Sequence, residues 1–97
     1  ANQAEPAKEL TFTNNWTTKY YIRVSATDAP GVLSAVAGCF AKENVSIASM
    51  MQKGSVEDGR VPLVFITHAA SEQSMQAALA SMNPAVCRLE SMIRVED

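Results

Sequence analysis

Apolar and polar residues alternate without a break from Lys19 to Ala26. Tyr20, Ile22, Val24 and Ala26 fall on one side, Tyr21, Arg23 and Ser25 on the other. Period two over that length predicts a half-buried strand. Thr27-Asp28-Ala29-Pro30-Gly31 breaks the alternation, and an acid followed by proline before an apolar run predicts a helix start. Val32, Val36, Cys39 and Phe40, flanked by Leu33 and Ala37, make one helical stripe that should end near Asn44. Val45–Lys53 reads as the second strand, with Val45, Ile47, Ser49 and Met51 on one face. Gly54-Ser55-Val56-Glu57-Asp58-Gly59 has the glycines and acids of a hairpin loop.

Val61–Ala69 predicts a third strand, apolar on both faces and so buried on both. Ser71-Glu72 opens a second helix, with Ser71 as its cap and Met75, Ala78, Leu79 and Met82 as its stripe; Asn83-Pro84 ends it. Val86–Glu96 is the last strand, with Cys87, Leu89, Ile93 and Val95 inward and Arg88, Glu90, Arg94 and Glu96 outward. The order is βαββαβ. Its simplest packing is the split βαβ arrangement, an α+β ferredoxin-like fold with a four-stranded antiparallel sheet and both helices on one face. Residues 1–18 carry no sustained period and read as a linker, with a short strand near Leu10–Thr13 and a lone Trp16 expected to dock on something.

At 97 residues the chain fits one domain. A start without Met is expected to mark a cut within a longer protein. The 47% hydrophobic fraction against 19% charged suggests a surface hidden by a partner. A net charge of −2 gives no electrostatic case for nucleic acid or an anionic membrane. Cys39 and Cys87 form no CxxC and no metal-ligand spacing, so both are expected to be reduced core thiols, which implies a cytoplasmic setting. No apolar run approaches the roughly 18 residues of a membrane span.

Chemistry is sparse. His68 is the only histidine, the loop acids Asp28, Glu57 and Asp58 suit caps and turns, and the four glycines lack the spacing of a phosphate loop. The chain is therefore expected to have no catalytic residues and no metal site of its own. Asp28-Ala29-Pro30-Gly31-Val32-Leu33 is the exception. A helix start offers unpaired N–H groups to a carboxylate, Gly31 permits close approach, and Asp28 could pair with an ammonium. Together they would hold a zwitterion. The plainer alternative stays open: Asp28 as N-cap, Pro30 as a first-turn proline, Gly31 as a packing residue. The second strand is a sheet edge in this topology, and Val45 to Gln52 carries neither charge nor proline to blunt it. Such an edge predicts pairing with a second copy across a two-fold axis; cover from the N-terminal segment is the alternative.

The stretch YYIRVSATDAPGVLSAVAGCFAKENVSIASMMQKG, with its D-x-P-G-V-L turn and V-S-I strand, resembles the first half of an ACT domain. The likeness continues through VPLVFITHAASEQSMQAAL to LESMIRVE. YYIRV, SIASMMQK, VPLVFITH and IRVED are most similar to the C-terminal regulatory domains of bacterial homoserine dehydrogenases. The resemblance implies residues 19–97 as the regulatory domain and 1–18 as a linker from a catalytic domain that would carry NAD(P). It implies a free amino acid as effector, threonine favoured, and a homodimer through edge strand 45–53. The effector residues carried over are Asp28, Ala29, Pro30, Gly31, Val32 and Leu33 from one subunit with Ser46, Ile47 and Ala48 from the next. Some serine-binding members have His where Ala26 stands and Asn where Asp28 and Ser46 stand. A dimerisation domain without a working effector site is the second reading. RNA binding, which shares the element order, is disfavoured because the third strand has only Phe65 to stack on a base.

Overall fold

The computed structural model describes residues 17–95. Residues 1–16, the strand expected near Leu10–Thr13, Trp16 and Glu96 lie outside them. The elements in chain order are β1 (Thr17–Thr27), α1 (Val32–Lys42), β2 (Ile47–Gln52), β3 (Arg60–Thr67), β4 (Ala70–Ser71), α2 (Glu72–Ala80) and β5 (Cys87–Val95). The long strands lie in the order β2-β3-β1-β5, each antiparallel to its neighbour. This is the expected ferredoxin-like sheet.

Alternation places the core. Tyr20, Ile22, Val24 and Ala26 of β1 are fully buried, as are Phe40 of α1 and Met75 and Ala78 of α2. Val61, Leu63, Phe65 and Cys87 join them, so both helices cover the same face of the sheet. Ser71 caps α2 as expected: its hydroxyl accepts the Ser74 N–H at 3.0 Å.

β1 reaches back to Thr17, two residues before the expected start. Thr17 and Thr18 pair with β4, a two-residue strand the hydrophobic pattern does not reveal. Tyr21 faces Ile66 but Thr18 faces Ala70, so the ladder takes one extra residue between β3 and β4. The buried Thr67 hydroxyl mends the break by accepting the Tyr20 N–H at 3.1 Å.

Two strands depart from their expected faces, each at a register shift. In β5, Val24 faces Leu89 but Arg23 faces Ser91, which leaves Glu90 as the extra residue of a bulge. Beyond it the phase inverts. Met92 lies opposite the buried Ile22 and packs on the core, while Ile93 lies opposite Tyr21 on the other face and is 56% exposed. Val95, expected inward, sits opposite Lys19 on that outer face, and Arg94, expected outward, lies opposite Tyr20. Leu89 keeps the inward register but is exposed, because β5 is an edge strand that packs on β1 rather than under a helix. In β2, Ile47 faces Thr67 and Ser49 faces Ile66, so Ala48 is the extra residue. Ile47 therefore shares a face with Met50, not with Ser49 and Met51. Val45 is buried ahead of the strand.

The Tyr20 hydroxyl is buried without a hydrogen-bond partner. Burial raises its pKa, as does the Glu72 charge, while Arg94 opposes the shift. A phenol with a raised folded-state pKa contributes stability that is intact below its unfolded value and lost as pH rises through the folded one. Tyr20→Phe is expected to unfold at the same urea concentration or a higher one at neutral pH, with a gain of up to about 1 kcal/mol. It should also lose less stability than the parent above about pH 10. Urea titrations of both proteins at the two pH values check this.

Candidate functional site

The β1–α1 turn is pinned from two sides. The Thr27 N–H donates to the Val86 carbonyl at 2.8 Å and the Asp28 N–H to the Gly59 carbonyl at 2.8 Å. The second bond ties the turn to the β2–β3 hairpin. That hairpin closes in the two residues Asp58 and Gly59, with φ of 53° and 72°, and with reciprocal Glu57–Arg60 backbone bonds. Positive φ at both central residues is what a type I′ turn requires.

Gly31 is the N-cap residue of α1, at φ 84° and ψ −13°. That left-handed conformation costs a residue with a side chain roughly 1–2 kcal/mol, so the helix can begin sharply here because the residue is glycine. No side chain caps the helix, and its first turn holds no acid. This settles the local role of Asp28: it does not cap α1. The helix's own bonds begin with Ala35 N–H to the Gly31 carbonyl at 3.0 Å, and Val32 N–H reaches the Ala29 carbonyl at 3.3 Å. The Leu33 and Ser34 N–H groups have no preceding carbonyl within the helix. Asp28, Ala29, Pro30, Gly31 and Leu33 are exposed and Val32 is half-buried, so the turn presents a continuous surface with an uncapped helix end at its centre.

Ser46 and Ala48 are exposed and Ile47 half-buried. They do not meet the turn within one chain. Ile47 pairs with Thr67 at the end of β3, whereas the turn is bonded to Gly59, before β3 begins. At about 3.3 Å per residue, the length of β3 separates the two groups by more than 20 Å.

A polar cleft of about 410 Å³ lies on the sheet face opposite the helices, lined by Arg23, Ser25, Glu57, Asp58, Arg60 and Glu90 among others. It contains none of the expected effector residues and no signal in the sequence marks it. Arg60 is fixed there, donating Nε to Ser25 Oγ at 2.9 Å and Nη2 to the Ser25 carbonyl at 2.7 Å. Arg23 Nε meets Glu90 Oε1 at 3.3 Å, an exposed pair of small energetic weight. His68 is exposed past the end of β3, and its N–H donates to the Ser46 carbonyl. Among the described residues no group of three or more His, Cys, Asp or Glu is placed to hold a metal, and no helix is long and apolar enough to cross a membrane. Both cysteines are free, Cys87 buried and Cys39 half-buried.

The chain is 38% identical over 82 residues to a homoserine dehydrogenase of Neisseria gonorrhoeae, a match covering 82% of this chain and 19% of that protein. Against a homoserine dehydrogenase of Mycobacterium tuberculosis it is 40% identical over 85 residues, again 19% of the relative. It thus spans about a fifth of the length of these curated relatives. Among solved structures, a homoserine dehydrogenase from Thiobacillus denitrificans superposes with a TM-score of 0.70 at 30% identity, over 87% of this chain and 19% of that one. The ACT domain of a GTP pyrophosphokinase from Chlorobium tepidum shares the fold, with a TM-score of 0.57 at 14% identity, over 82% of this chain and all of that one. A family model described as the ACT domain matches residues 20–83, which is most of the chain and takes in the turn, both helices and β2. The chain belongs to the ACT domain family.

Proposed function

We propose that this chain is the regulatory ACT domain of a homoserine dehydrogenase and senses a free amino acid, threonine in first place. The observation that carries the reading is the uncapped start of α1 at Gly31, held open at the end of the sheet where Gly59 bonds Asp28. A carboxylate suits the free N–H groups there, and Asp28 supplies a charge for the ammonium. The site needs a second copy. Pairing β2 with its symmetry mate across a two-fold axis runs the strands antiparallel. The partner's Ser46, Ile47 and Ala48 then approach the Gln52 end of this chain's β2, the end where its own turn lies. The 38–42% identities to homoserine dehydrogenases support such an enzyme as the parent. The NAD(P)-dependent chemistry of that cytoplasmic parent belongs to the part of its length outside this chain. The chain itself is a binding module, and the ligand acts by favouring one arrangement of the pair.

The test is thermal unfolding of the reduced chain with threonine and then other amino acids, alongside sedimentation. At a hundred times the dissociation constant, binding stabilises by about 2.7 kcal/mol. In a domain this small that raises Tm by roughly 10–20 °C. A dimer whose melting no amino acid alters is a dimerisation domain instead. A monomer indifferent to every amino acid ends both readings.

A further inference from the structure

We propose that the cleft between α1 and the start of β5 is a binding site for a soft monovalent metal ion of the Cu(I) class, held by Cys39, Cys87 and Met82. The cleft, about 210 Å³, is walled by Ala35, Val36 and Val86 together with the three sulfur residues and Asn83. Cys87 Sγ lies 3.8 Å from Met82 Sδ. Cys39 Sγ lies 3.8 Å from the carbonyl oxygen of Ser81, the residue next to Met82. Cys39 of α1, Met82 of the α2–β5 connection and Cys87 of β5 thus line one apolar space. The sequence separates Cys39 from Cys87 by 47 residues, and the fold alone brings them together.

The geometry suits a particular ion. Metal–sulfur bonds of about 2.3 Å in a trigonal plane set the sulfurs about 4.0 Å apart, close to the spacing of Cys87 and Met82. Two thiolates and a thioether are soft donors, which select Cu(I) over harder ions. Structural zinc takes four ligands, and a fourth is missing: Asn83 is the only other polar side chain on the wall, and its Oδ1 already accepts the Ala85 N–H at 3.0 Å. Half-buried Cys39 gives the ion a way in. On binding, each thiol gives its proton to solvent and the metal keeps its charge, so no electron moves.

The test uses the reduced chain under anaerobic conditions, titrated into the coloured complex of Cu(I) with bicinchoninate. One copper per chain should be withdrawn, and both thiols should then resist iodoacetamide. Met82→Leu keeps the packing volume and, with an unchanged circular dichroism spectrum, should weaken binding at least about tenfold. Cys39→Ser should weaken it further. Zinc should leave the thiols open to alkylation. The site is refuted if no copper is withdrawn, if Met82→Leu binds as the parent does, or if zinc protects equally well.

Discussion

Phe40→Ala is expected to lower the free energy of unfolding by about 3–5 kcal/mol. Phe40 is 0% exposed and its ring stands 5.4 Å from that of Phe65, tilted by 51°. An offset aromatic pair adds roughly 0.5–1.5 kcal/mol to the area each ring buries. The contact joins the last full turn of α1 to the middle of β3, and little else does the same work, since Val36 is the only other fully buried side chain of α1. A domain of this size holds about 5–15 kcal/mol in all, so the variant sits near the edge of folding. The measurement is urea unfolding by circular dichroism: the midpoint should fall by about a fifth or more with the slope unchanged. Leu33→Ala is the control. Leu33 is 44% exposed, and its loss should cost under about 1 kcal/mol. If Phe40→Ala costs no more than that, α1 is held to the sheet by something other than this pair. Because α1 carries the Gly31 turn, the variant should also weaken amino-acid binding in proportion to the fraction unfolded.

Element identity was legible because it depends on period, and the periods are clear. Tyr20 to Ala26 alternates so regularly that β1 and its buried face follow from the sequence alone. Val36 and Phe40 in α1, and Met75 and Ala78 in α2, mark the helix faces that meet the core. Gly54 to Gly59 reads as a hairpin loop, and the structure narrows its closure to Asp58 and Gly59. What failed was phase within a strand. A single extra residue inverts every side chain beyond it, and neither Glu90 nor Ala48 carries a mark that sets it apart from its neighbours. Ile93 looked inward because it falls in step with Cys87 and Leu89, and the bulge at Glu90 turns it to the opposite face. The same limit hid β4, since two residues cannot display a period.

The turn was easier to find than to interpret. Pro30-Gly31 marks the helix start, but which residue caps it depends on backbone dihedrals, and those give the cap to Gly31 rather than Asp28. Ser46, Ile47 and Ala48 come to the site by family resemblance, and no single-chain contact joins them to the turn. The sulfur cleft had no signal in the sequence, because spacing along the chain says nothing about two residues brought together by packing.

The edge strand gives the second large effect. Met50→Lys with Met51→Lys is expected to weaken self-association at least about 100-fold while leaving the chain folded. Met50 and Met51 are 39% and 41% exposed, so placing ammonium groups there costs the single chain little. Across a two-fold seam the same change puts four like charges along one pair of strands, which is how natural edges are kept from pairing. Each tenfold of affinity is worth about 1.4 kcal/mol, so a hundredfold loss needs only about 3 kcal/mol in total from the four charges. Sedimentation equilibrium measures the association, and threonine-induced melting shifts measure the site. Under the proposed site both should fall together, because that site joins the turn of one chain to Ser46, Ile47 and Ala48 of the next. If the double variant stays dimeric, the chains associate through another surface, and the outer face carrying Tyr21, Ile66 and Ile93 becomes the place to look. If it is monomeric yet still stabilised by threonine, the turn alone is the binding site and the partner's strand is not part of it.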